Sequence, residues 1–218
     1  MTPFLNACRR GDLEEAQRLL RQGSVNIHAG HDYAFRWACG NGHLAVAQWL
    51  YGLGGVNIHA ADDDAFRWAC GNGHLAVALW LLSLGGVNTH ADNDYAFRWA
   101  CSNGHLVVAQ WLYGLGGVNI HAGNDYAFRW ACGKGHLVVA QWLLSLGGVN
   151  IHADRDYAFT IACALHSQSC LARWLIAMEP EWAWPAAGLR TLQTWTPARD
   201  VWCRAVVGGE GGHQCPTR

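Results

Sequence analysis

"DYAFRWACGNGHLAVAQWLYGLGGVNIHA", residues 32–60, decides the fold, because the chain writes it again with few changes at 63–91, 94–122 and 125–153. A degenerate copy follows from Asp156. Phe35, Phe66, Phe97, Phe128 and Phe159 recur every 31 residues, and Phe4 extends the series backwards. Cys8, Cys39, Cys70, Cys101, Cys132 and Cys163 keep the same step. Six units result, the first and last degenerate. A two-unit rhythm lies over this period, with "QWLYGLGG" alternating with "LLSLGG". Residues 32–93 and 94–155 differ at only 10 of 62 positions, which points to duplication of a two-unit block.

Each unit reads as two short helices and an extended turn. Asp32 is expected to cap a first helix through "YAFRWACGN" and to pair with Arg36 four residues on. Phe35, Ala38 and Cys39 share one helical face. Gly42 ends that helix, and "HLAVAQWLYGL" forms the second, with Val46, Trp49, Leu50 and Leu53 on one stripe and Gly54 as its stop. "GVNIHA" crosses to the next unit. So short a helix pair cannot bury its own apolar face, so the units must stack and share a core. The fold class expected is an all-α repeat solenoid of helix-turn-helix units with short extended hairpin loops.

These motifs resemble the ankyrin repeat. Gly42-His43-Leu44 matches its "GHL", Ala38-Cys39 its paired alanines and Val56-Asn57 its "VN", and the likeness covers about residues 4–178. Two departures stand out: "YAFR" replaces "TPLH", and the period is 31 rather than 33. With Thr-Pro lost, the Asp column is expected to supply the cap. The wording "DYAFRWA…NGHL" is similar to the variant expanded in giant viruses of amoebae and in protists. The resemblance implies six units over 1–178. The first, "FLNACRRGDLEEAQRLLRQGS", carries the polar outer face of an N-terminal cap. Residues 179–218 lose the period and are expected to be an irregular or disordered tail.

Bulk composition narrows the function. Lys+Arg number 15 against Asp+Glu 16, a net charge of −1, so no basic field points to nucleic acid or membrane. Charged residues make up only 14%, which favours weak self-association of a monomer. No secretory leader or spanning segment is visible, and an intracellular, cytoplasmic protein is expected. Catalysis fails on inventory: serine is scarce, no Gly-rich loop follows a strand, and a residue copied four times is a poor unique nucleophile. No cofactor or metal is expected either. Neighbouring units place the cysteines about 8–10 Å apart, too far for disulfides, and no zinc-type spacing occurs.

The columns that could bind carry open alternatives. Arg36, Arg67, Arg98 and Arg129 either pair with the Asp four residues earlier or contact a ligand. The tryptophans headed by Trp37 and Trp49 are core filler or a stacking platform. His28 and its repeats are solvated or locally hydrogen-bonded, or take part in binding, whereas the resemblance implies that His43 and its repeats tie adjacent units. Variation marks two slots. The pair before each constant Asp runs Gly30-His31, Ala61-Asp62, Asp92-Asn93, Gly123-Asn124 and Asp154-Arg155. The pair closing helix one carries Asn41, Asn72, Asn103 and Lys134, and Asp64 replaces the tyrosine of the other units. By the resemblance the first slot is a hairpin fingertip, where a partner protein would be met. Neutral drift at exposed turns would give the same variation; set against it, protein binding is the function expected. The alternative is an adaptor for a ubiquitin ligase, or a substrate for asparaginyl hydroxylation at Asn26, Asn57, Asn88, Asn119 and Asn150.

Overall fold

Pairs of helices a dozen and nine residues long repeat through the computed structural model, which describes residues 2–23, 25–164, 171, 174 and 175. In order they are α1 (Pro3–Arg10), α2 (Leu13–Arg21), α3 (Ala29–Gly40), α4 (Leu44–Gly52), α5 (Ala60–Gly71) and α6 (Leu75–Ser83). There follow α7 (Ala91–Ser102), α8 (Leu106–Gly114), α9 (Ala122–Gly133), α10 (Leu137–Ser145) and α11 (Ala153–Ala164). No strand occurs among the described residues. The array is an all-α repeat solenoid: α1, α3, α5, α7 and α9 pack on one another in series, and each also packs on the second helix of its own unit.

The chain divides into two compact parts, Met1–Ala158 and Phe159–Arg218. The first is the array just described. Of the second, Ala162, Leu171 and Leu175 are buried. The expected boundary at 178 and the expected tail lie outside the described residues.

Local chemistry sets the helix ends. In the first unit side chains do it: Thr2 accepts from the Leu5 N–H, Pro3 opens α1, and Asp12 Oδ1 accepts from the Glu15 N–H at 3.0 Å. In the repeated units the end of helix one is a backbone motif. The Gly42 N–H donates to Cys39 O and the His43 N–H to Ala38 O, with Gly42 at φ 80°, a left-handed position that glycine occupies without penalty. Gly42 is doubly required. A side chain there would meet His43's counterpart in the next unit, His74, at 2.5 Å. His43 itself lies against Gly11 and its Nε2–H donates to Arg9 O at 2.8 Å, so this column does tie units.

The core is narrower than the tryptophan count suggests. Phe35, Ala38 and Cys39 of helix one and Val46, Ala47 and Leu50 of helix two are buried, and the next three units bury the same positions. Leu53, expected on that stripe, is 43% exposed. Trp37, Trp49 and their repeats are only half-buried, which corrects the core-filler reading. The reason is volume. Close-packed helices with Ala and Cys at the contact leave room for one ring per unit, and phenylalanine takes it. Each indole instead reaches across a junction. Trp80 lies 6.1 Å from Phe35, Trp111 6.2 Å from Phe66 and Trp142 6.1 Å from Phe97. Trp68 covers Gly40, where even a Cβ would come within 3.0 Å of the ring.

Candidate partner-binding surface

The variable pair and the constant Asp form one backbone device. Residues 30–32 have φ between 57° and 65°, a full turn of left-handed conformation, and the same turn recurs at 61–63, 92–94, 123–125 and 154–156. Outside glycine this conformation costs roughly 1–2 kcal/mol per residue, so three in a row persist only where surrounding contacts compensate. Two sets of side chains do so.

The first is the aspartate. Asp32 is buried, and both its oxygens are used. Oδ1 accepts from His28 Nδ1 at 2.6 Å, and Oδ2 accepts from the Asn57 backbone N–H of the following unit at 3.0 Å. Asp63, Asp94 and Asp125 repeat this with His59 and Asn88, His90 and Asn119, and His121 and Asn150. The carboxylate is thus a clamp between units, not the helix cap expected. Its charge-assisted bonds, one to a ring and one to a backbone donor of the next unit, are of the stronger kind. Accepting at Oδ1 requires the proton on Nδ1 of the ring. The His28 column is therefore locally hydrogen-bonded, as one of the two readings had it. Each hairpin asparagine holds the same loop: Asn57 Oδ1 accepts from the His59 N–H at 3.0 Å, and Asn26, Asn88, Asn119 and Asn150 do likewise.

The second is the arginine. Pairing with the Asp four residues earlier does not occur, because that carboxylate is already occupied. Arg36 instead wraps its own tip, with Nε donating to His31 O at 3.0 Å and Nη2 to Gly30 O at 2.8 Å. Arg98 and Arg129 do the same to Asn93 and Asp92, and to Asn124 and Gly123. Arg67 holds only Ala61 O, at 2.8 Å, and its Nε is buried without a partner among the described residues. The remaining edge of the guanidinium then reaches an acid of the next unit. Arg36 donates to Asp64 and Arg129 to Asp154, each at 2.7 Å, and Arg67 to Asp92 at 3.5 Å. Tyrosines flank the column: Arg67 lies 5.0 Å from the Tyr95 ring and Arg129 5.4 Å from Tyr157.

The expected site residues therefore separate by task. Asp64 and Arg129 are buried, and Asp92 and Asp154 are exposed but hold arginines. In the second slot, Asn72 and Asn103 donate to Gly40 O and Gly71 O of the preceding unit at 2.7 Å, Asn41 donates to Trp37 O, and Lys134 donates to Asn103 Oδ1. Those residues hold helix ends together. What is left is the middle position of each tip: His31, Asp62, Asn93, Asn124 and Arg155. All five side chains are exposed, and no hydrogen bond or ion pair holds them among the described residues. Where the middle residue is engaged, as at His31, Asn93 and Asn124, it is through the backbone carbonyl. The Asp–His–Asn clamp was missed from sequence. Its signal was available, since "NxHAxxD" keeps its three polar residues in every copy while the two between Ala and Asp vary.

Away from the tips, helix two carries a second exposed surface with Tyr51, Val107, Tyr113 and Val138. No described helix is long and apolar enough to cross a membrane.

Comparison with known families matches residues 35–124, and again 66–155, to the description "Ankyrin repeats (3 copies)". Together these span more than half of the 218 residues. No curated protein matches the sequence. Among solved structures, the human ASB11 ankyrin repeat domain is similar, with a TM-score of 0.60 over 81% of this chain and 83% of that one. Identity is 23%, so the likeness is one of fold.

Proposed function

The chain belongs to the ankyrin-repeat family, and from that premise we propose that it binds another protein through the middle residues of its left-handed tips and the adjoining face of its first helices. Ankyrin repeats are general protein–protein interaction modules, and their fold is typically a non-catalytic scaffold. The observation that carries the finer reading is the division of labour within each tip. Backbone geometry is the same five times, held by Asp and His in every tip and by Arg in the first four, while one side chain per unit varies through His31, Asp62, Asn93, Asn124 and Arg155 with no task in the fold. A rigid frame presenting five interchangeable side chains suits recognition, because little ordering entropy remains to be lost on binding.

The test replaces all five with glycine, which the left-handed backbone accepts. Proteins captured by the wild-type chain should be lost, while the circular-dichroism melt stays in place. Unchanged capture by this variant would refute the tips as the binding surface and shift attention to the exposed face of helix two around Tyr51 and Tyr113.

A further inference from the structure

We propose that Arg98 is the docking point for a carboxylate side chain of the partner protein, seated between the tips at 92–94 and 123–125. The proposal deepens the tip-binding reading and rests on it. Its basis is an irregularity in an otherwise regular column. Arg36, Arg67 and Arg129 each direct Nη1 at a carboxylate supplied by the next unit: Asp64, Asp92 and Asp154. For Arg98 the next unit supplies none. Its tip reads Gly123-Asn124, followed by Asp125 and Tyr126, and Asp125 is taken by His121 and the Asn150 N–H. The other nearby acids are also engaged, Asp92 by Arg67 and Asp94 by His90 and the Asn119 N–H.

The guanidinium is nonetheless held as firmly as its neighbours. Nε donates to Asn93 O at 2.7 Å and Nη2 to Asp92 O at 2.8 Å, while the Tyr95 and Tyr126 rings lie 5.9 and 5.1 Å from Cζ. Two edges are fixed and flanked by aromatic faces. Nη1 has no acceptor among the described residues. Gly123 leaves the approach clear, since even a Cβ there would stand 3.9 Å from Nη1. In the same slot of two other units, Asp92 and Asp154 place a carboxylate on the corresponding Nη1. A singly charged carboxylate is thus the group the molecule itself uses three times at this position. A doubly charged phosphate fits less well beside the exposed Asp92.

The probe is N-acetylaspartic acid amide, titrated at constant ionic strength, with the arginine Nε–Hε resonances followed by NMR. The Arg98 signal should move saturably, and those of Arg36, Arg67 and Arg129 should stay nearly still. Gly123→Asp should abolish the response by filling the site from within. The substitution suits the backbone, because Asp92 and Asp154 adopt φ 53° and 56° in that slot. Asp154→Gly should create the same response at Arg129. The proposal is overturned if all four arginines respond alike, if Arg98 still responds in Gly123→Asp, if Asp154→Gly leaves Arg129 silent, or if inorganic phosphate binds more tightly than the aspartate probe. None of these outcomes involves the partner, so they separate failure of this site from failure of the tip reading.

Discussion

Ala61 sits at φ 56° in the left-handed tip of the third unit, at the place where the second and fifth units have Gly30 and Gly123. Its methyl group gains nothing there, since the residue is exposed and only its carbonyl is used, by Arg67. Ala61→Gly should therefore raise stability, by about 1 kcal/mol from relief of the left-handed cost, read from the denaturant midpoint. The reverse holds for the clamp. Asp94→Ala strips partners from His90 and from the Asn119 N–H, and losing a hydrogen bond to a charged group costs about 1.5–3 kcal/mol. Alanine at Asp92, on the tip's exposed edge, should cost well under 1 kcal/mol. The tip was the least legible part of the sequence for a physical reason. Three consecutive left-handed residues follow from no local propensity when the pair can be Gly-His, Ala-Asp or Asp-Asn. The conformation is imposed from outside, by an arginine four residues past the turn and by a loop 25 residues further on.

At the scale of the helix, the period disclosed nearly everything about the core. Phe, Ala and Cys at one spacing and Val, Ala and Leu at another are buried in each central unit, and the Gly42 stop is a backbone-bonded helix end. Tryptophan was misplaced because apolar spacing gives the direction of a side chain but not the width of the gap it faces. Phe97→Ala should accordingly lower stability by about 3–5 kcal/mol, and Trp99→Ala, whose ring is half-exposed, by distinctly less. Equilibrium denaturation of the two variants checks the order. The histidines that follow the helix stop add a pH dependence. Desolvation holds the His74, His105 and His136 imidazoles below their ordinary range, with neighbouring charges in the column adding to it. The unfolded chain then takes up these protons first. This column's stabilisation is complete above the unfolded value of about pH 6.5 and is lost as the pH falls through the folded values. NMR titration midpoints for the three rings should lie below that of a free imidazole; midpoints at or above it would contradict the burial argument.

Across the whole array, stability is a sum over units and their junctions, and the four junctions that follow the second to fifth units are fastened twice, by an apolar seam and by the Asp–His–Asn clamp. Burial raises the thiols of Cys39, Cys70 and Cys101 well above the usual range, and those of Cys8 and Cys132 to about 12. In the native array these five should resist thiol reagents at neutral pH and react only as fast as units open, on a scale that hydrogen exchange can calibrate. The same method gives the most direct test of the central claim, that partners meet the chain at the tips. Amide exchange is measured on the chain alone and with a captured partner bound. Protection should appear at 30–32, 61–63, 92–94, 123–125 and 154–156, whereas protection confined to α4, α6, α8 and α10 with the tips unchanged would contradict it.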